Sequence, residues 1–262
     1  SGINTPWTSS GPNERRGGSW RRGHVSSPRE ALARIAARPD PEIDLAEAAL
    51  WIAAEEYPDL VVADELDRLD ALGAAAAARV AREERLAPRV EALNHFLFTE
   101  QGFRGNRDDY YDPRNSYLNE VLERRLGIPI SLSLVYLAVA GRAGIEASGI
   151  SFPGHFLLKC SGSEGELVVD AFAGATLGIA ECQRRLSAAA GRPIPLDPAL
   201  HLRAASPREI LVRVLTNLKQ IFVGRADFGS ALSCSDRILL LVPDAPREHK
   251  EREALRARVR MH

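Results

Sequence analysis

Ser131, His155 and Asp170 have residue types and positions that could do chemistry. Ser131 stands in "GIPISLSLVYLAVAGRAG", His155 in "ISFPGHFLLK" and Asp170 in "LVVDAFAG". A hydroxyl, an imidazole and a carboxylate can serve as nucleophile, base and the group that orients the base. A hydroxyl at a helix N-terminus would also lie beside free backbone N–H groups able to stabilise an oxyanion. The same serine has a structural use as an N-cap, which contributes about 1 kcal/mol. Ser133 suits a small packing position within the helix. A histidine–aspartate bond can likewise do no more than tie two strands together.

The elements around these residues decide whether they meet. Pro129 cannot sit comfortably inside a helix, so a new helix is expected near Ser131. "SLSLVYLAVAGRAG" is apolar nearly all round until Arg142, which predicts a buried helix that Gly144 stops. "IEASGISFPGHFLLKC" and "GELVVDAFAG" read as strands separated by the turn-rich "SGSEG". A four-residue loop, Ser161 to Glu164, would set Cys160 against Gly165, Leu158 against Leu167 and His155 against Asp170. Directly opposed side chains have Cβ atoms roughly 4.5–5.5 Å apart.

Cys160 is the rival nucleophile. It lies five residues beyond His155 on the expected strand, about 16 Å of rise, which excludes direct pairing. The chain has three cysteines, Cys160, Cys182 and Cys234, with no C-x-x-C spacing, so neither a zinc site nor a disulfide framework is expected. Upstream, "RGNRDDYYDPRNSY" crowds Asp, Asn, Pro and Gly into an ordered loop. Its Tyr110, Tyr111, Asp112, Arg114 and Asn115 would either line a cleft or pack locally. Asn115 is the loop's candidate site residue. Asn115 or Ser116 would cap "YLNEVLERRLG", a helix expected to end at Gly127.

Helical spacing dominates from 29 to about 101. Asp44 is the expected N-cap of "DLAEAALWIAAEEY", with Glu47 completing a capping box and Leu45, Ala49, Ile52 and Ala53 forming the apolar stripe. Leu66, Leu69 and Leu72, then Val90, Leu93, Phe96 and Leu97, form further core faces. His95 beside the last face reads as a satisfied structural histidine. Residues 1–28 are rich in Ser, Gly, Pro and Arg and read as a disordered tail. Near the other end, Leu215, Leu218 and Phe222 line one helix, and Ala231 stands twelve residues before Pro243. Those offsets fit one helix–turn–helix repeat closed by proline. "REHKEREALRARVRMH" follows with few apolar positions.

Composition limits the partners. The 262 residues carry 34 basic and 35 acidic side chains for a net charge of -1, with 45% hydrophobic and 26% charged residues. Such a balance gives no electrostatic case for nucleic acid. No apolar run reaches about 18 residues, so no membrane span is expected. The absence of an apolar secretory stretch and of cysteine pairing leads to the expectation of a cytoplasmic protein. No spacing calls for a metal or organic cofactor.

A hydroxyl-bearing helix start followed by histidine and carboxylate on two strands resembles papain-like and transglutaminase-like folds. The stretch "FRGNRDDYYDPRNSYLNEVLERRLGIPISLSLVYLAVAGRAGIEASGISFPGHFLLK" is similar to the central signature of the SirB-type family of transglutaminase-like proteins. "IDLAEAALWIAAEEYPDL", "LVVDAFAGA" and "VLTNLKQIFVGRADFGSALSCSDRILLLVPD" match that family in the same order, over roughly residues 29–245. The resemblance implies an α+β, mostly helical fold, with a buried helix on a small antiparallel sheet and a C-terminal tetratricopeptide-like helical hairpin. The expected organisation is a tail over 1–28, a helical part over 29–105, the transglutaminase-like core over 106–200 and the helical tail over 206–262.

Catalytic transglutaminase-like domains place cysteine at the start of the buried helix, where this chain has Ser131 and Ser133. Serine cannot be activated by a lowered pKa alone and needs an aligned base. The sequence therefore favours a non-catalytic or weakly catalytic protein that binds a protein or peptide through its cleft or helical tail. The alternative is an amide-directed hydrolase or acyl transferase using Ser131, His155 and Asp170.

Overall fold

Two residues, Ser163 and Glu164, turn β4 (Leu157–Gly162) into β5 (Gly165–Asp170) in this computed structural model, which describes residues 27–261. The tight turn is possible because Gly165 has a φ of +125°, a region that residues with a Cβ rarely enter. The register is Gly162 opposite Gly165, Cys160 opposite Leu167 and Leu158 opposite Val169. The expected four-residue loop is thus two residues too long. Side chains alternate with a period of two, so this shift leaves each residue on its expected face.

His155 lies outside the strands. β3 (Glu146–Ile150) folds back antiparallel onto β4, with Ile150 opposite Leu157. The single strand expected over 145–160 is therefore a hairpin whose loop carries His155. Pro153 and Gly154 explain the break: proline offers no N–H to a ladder, and Gly154 has a φ of +69°. β6 (Ala175–Leu177) completes the antiparallel order β3-β4-β5-β6. Apart from this sheet, β1 (Arg104–Gly105) pairs in parallel with β2 (Leu126–Gly127).

Helices account for most of the remaining chain. They are α1 (Pro28–Ala36), α2 (Leu45–Ala54), α3 (Val62–Val80), α4 (Leu86–Asn94), α5 (Leu118–Arg124), α6 (Pro129–Arg142), α7 (Ile179–Ala190), α8 (Pro198–His201), α9 (Pro207–Gly224), α10 (Phe228–Leu241) and α11 (Pro246–Met261). The α+β, mostly helical class expected from the sequence is what the fold shows. α6 is its central element. Leu132, Leu134, Val135, Tyr136 and Val139 are all buried, and the helix packs against α2, α3, α5, α9, β3 and β4. A helix apolar on all sides is stable only when covered on all sides.

Several helix ends differ from expectation. Ser27 caps α1 and Pro28 is its first residue, so the last two residues of the expected tail belong to a helix start; residues 1–26 of that tail lie outside the described residues. Asp44 caps α2 by accepting from Ala46 and Glu47, but Glu47 pairs with Arg38 rather than closing a capping box. α5 begins after Tyr117, which supplies no side-chain cap, and ends at Arg124 instead of Gly127. Arg125 turns left-handed with a φ of 60°, releasing Leu126 and Gly127 to pair as β2. α6 starts at Pro129, where a missing N–H costs nothing and the fixed φ suits a helix.

Beyond the sheet, α9 and α10 form a helical hairpin joined through Arg225, Ala226 and Asp227, and both contact the core. Leu215, Leu218 and Phe222 face inward as their spacing requires. The charged segment after Pro243 is also helical, although only Glu248 and Leu255 of α11 are buried. Polar contacts attach it. Lys219 of α9 donates to both Glu248 oxygens at 2.8 and 2.7 Å, and Arg252 bonds Asp236 of α10.

Candidate functional site

Asp170 ends β5 and is buried, with its side chain 2% exposed. Its Oδ1 faces His155 Nε2 at 3.0 Å and accepts from the amides of Phe172 at 2.9 Å and Ala173 at 3.1 Å. Its Oδ2 accepts from Arg185 of α7, which also bonds Glu181. Burial pushes the Asp170 carboxyl up, but the bonds from His155 and Arg185 prevail and hold it at about 2. An ionised carboxylate can only accept, so His155 Nε2 carries the proton and Nδ1 is left as the basic atom.

The backbone and ring of His155 are also held. Arg213 of α9 donates to its carbonyl at 2.7 Å. Phe172 meets the imidazole edge-on, with centroids 6.2 Å apart, and Tyr110 meets Phe172 in the same manner. Gly105 makes this packing possible, because a Cβ there would lie 2.4 Å from the Phe172 ring. His155 thereby lines a cavity of about 280 Å³, bounded by the tyrosine loop, the start of α6 and one face of α9. Tyr111, Gly154 and Gln220 are exposed and mark its mouth.

Ser131 stands apart from that pair. Its side chain is fully buried, its Oγ accepts from the Ile128 amide at 3.0 Å, and it donates to the Asn115 carbonyl at 2.5 Å. It occupies the third position of α6 and reaches back to the residue before the helix, so it is not the N-cap. Ser133 donates to the Pro129 carbonyl at 2.7 Å, a bond back along its own helix. Among the described residues, the lining of the cavity beside His155 contains no serine, threonine or cysteine.

Asn115 organises the loop. Its amide nitrogen donates to the carbonyls of Asp109 at 2.6 Å and Tyr110 at 3.3 Å, while its oxygen accepts from Asn106 at 3.0 Å. Asp112 caps the short turn Pro113–Asn115 and pairs with Arg114. The buried Asn115 thus fixes the wall that carries Tyr110 without lining the cavity itself. Cys160 is buried against the Tyr136 hydroxyl, and burial pushes its thiol up to about 11. His95 is 62% exposed, with Glu100 at 3.9 Å.

Two positioning residues lie outside the sequence reading. Arg185 sits on a helix whose apolar spacing is legible but whose approach to Asp170 is not. Arg213 falls within a helix read for its apolar face alone. Among the described residues, no group of three or more His, Cys, Asp or Glu is placed to hold a metal ion. No helix of the described residues is long and apolar enough to cross a membrane.

Comparison with known proteins agrees with this architecture. The family model of the transglutaminase-like superfamily matches residues 63–216. A UPF0162 protein of Xylella fastidiosa strain 9a5c is 42% identical over 217 residues, covering 81% of this chain and 77% of its own. F-box only protein 21 of Mus musculus is 44% identical over 103 residues, 36% of this chain and 16% of its own. Protein SirB1 of Salmonella typhimurium is 26% identical over 207 residues, 78% of this chain and 75% of its own. No solved structure matches. With the buried helix, the small antiparallel sheet and these relatives in agreement, the chain belongs to the transglutaminase-like superfamily, in the SirB-type branch that includes the UPF0162 proteins.

Proposed function

We propose that this protein is a binding module built on a transglutaminase-like scaffold, and that the cleft beside His155 holds a segment of a partner. One observation carries the reading: the Ser131 hydroxyl is sealed in the core, and its proton is committed to the Asn115 carbonyl. A serine nucleophile needs both a base within hydrogen-bond reach and access to substrate. Ser131 has neither. On this reading α9, α10 and α11 act as a tetratricopeptide-like unit docked on the core. α9 supplies the cleft wall opposite the tyrosine loop.

The second reading is an amide-directed hydrolase or acyl transferase with Ser131 as nucleophile, His155 as base and Asp170 as orienting group. The oriented His155–Asp170 pair supports it. It requires Ser131 to leave Asn115 and turn toward His155. Intact-mass analysis after incubation with a fluorophosphonate or a nitrophenyl ester separates the readings. A binding module shows no adduct at Ser131 and turnover no faster than free imidazole. An adduct that disappears in Ser131→Ala and in His155→Ala establishes the enzyme and overturns the binding reading.

A further inference from the structure

Arg213 lines the same cleft, half-buried, and no carboxylate among the described residues pairs with it. It donates to the His155 carbonyl at 2.7 Å and lies over the Phe156 ring, 5.6 Å from the guanidinium carbon. Burial pulls its pKa down, and only Tyr110 opposes that pull. A guanidinium has five N–H donors in a fixed fork, so a single bond to a carbonyl leaves most of them available. Removing a cation from water without a counter-charge is costly, and an incoming anion relieves that cost.

We propose that the cleft receives the carboxylate end of a peptide chain, with Arg213 as its counter-charge. This rests on the reading of the cleft as a binding site. Among the described residues the cavity lining has no acidic member, so nothing there repels a carboxylate. One guanidinium matches one negative charge. Asn217 lies one helical turn from Arg213 and Gln220 one turn further, placing two amide side chains where a peptide backbone would continue. Ile130, Phe156 and Ile221 provide apolar wall for a terminal side chain. The volume of about 280 Å³ lies just below the roughly 300–1,000 Å³ of small-molecule sites, which suits a chain end rather than a long segment.

The test uses the full chain and three probes, with the Arg213 and His155 side-chain resonances as readout. The probes are a pool of N-acetylated tripeptides with free carboxylates, the same pool as C-terminal amides, and acetate ion. The acid pool is expected to shift both resonances and to bind at least roughly tenfold more tightly than the amide pool. Arg213→Gln should abolish that preference. Asn217→Asp, which sets a competing carboxylate one helical turn from Arg213, should weaken the acid pool selectively, so a poorly folded Arg213→Gln would not decide the matter. Equal binding of acid and amide pools overturns the carboxylate assignment while leaving the cleft a binding site. Acetate binding as tightly as the acid pool overturns the peptide end in favour of a small anion. No response to any probe overturns the carboxylate assignment, whereas failure of the binding reading itself would appear as an acyl or phosphonyl adduct on Ser131.

Discussion

The hydroxyl of Ser131 and the carbonyl of Asn115 meet at 2.5 Å in the core, tying the start of α6 to the loop that walls the cleft. The same oxygen accepts from the Ile128 amide. Ser131→Ala therefore leaves a buried N–H and a buried C=O without this partner, and each unsatisfied group costs about 1–3 kcal/mol. The expected result is a loss of about 2–4 kcal/mol in urea unfolding, with Tyr110 and Tyr111 resonances shifted. An unchanged midpoint would show that the bond does not form in solution.

Asp170 makes stability depend on acid. Its carboxyl is held at about 2 against an ordinary value of 3.8, because the bonds from His155 and Arg185 outweigh burial. A depressed folded-state pKa contributes stability that is fully present above the unfolded value. That contribution is lost as pH falls from roughly 4 toward 2 and amounts to on the order of 2 kcal/mol. Asp170→Asn is expected to flatten this part of the stability–pH curve while lowering stability at neutral pH. Parallel acid limbs in the two proteins would remove Asp170 from the account.

Lys219 holds α11 through Glu248 and Glu251. Burial lowers its pKa, but the bonds to those two carboxylates prevail and raise it above 10.5. A raised folded-state pKa contributes stability that is fully present below 10.5 and is lost as pH climbs through the folded value. Lys219→Met strands Glu248 in a buried position, a kind of loss that costs about 3–5 kcal/mol. Hydrogen exchange should show the α11 amides losing protection first, because few apolar side chains hold that helix. If α11 exchanges no faster than in the unsubstituted protein, the ion pairs are not what docks it.

The sequence brought His155 and Asp170 together through a strand register, but His155 sits in the loop between β3 and β4. It is that loop, opened by Pro153 and Gly154, that carries the imidazole to the end of β5. The buried α6 was legible from its unbroken apolar run. Ser131 was harder, since a serine at the first turn of a helix satisfies both a capping and a catalytic pattern. Only the tertiary approach of the Asn115 carbonyl decides which way its proton points. Arg185 and Arg213 were not legible as site residues. Their helices show which face is apolar, but not which distant backbone or carboxylate the polar face will meet.

The cysteines give the most direct check on burial. Cys160, Cys182 and Cys234 are all enclosed, and burial pushes the Cys160 and Cys234 thiols up to about 11 and raises that of Cys182. Thiolate is the reactive form, and enclosure also bars the reagent. Native protein treated with a disulfide reagent at pH 8 is therefore expected to release almost no thiol signal, and all three cysteines should react once urea unfolds the chain. Rapid labelling of Cys160 in native protein would mean that the β4 face against Tyr136 opens to solvent. The packing that seals the neighbouring core would then need revision.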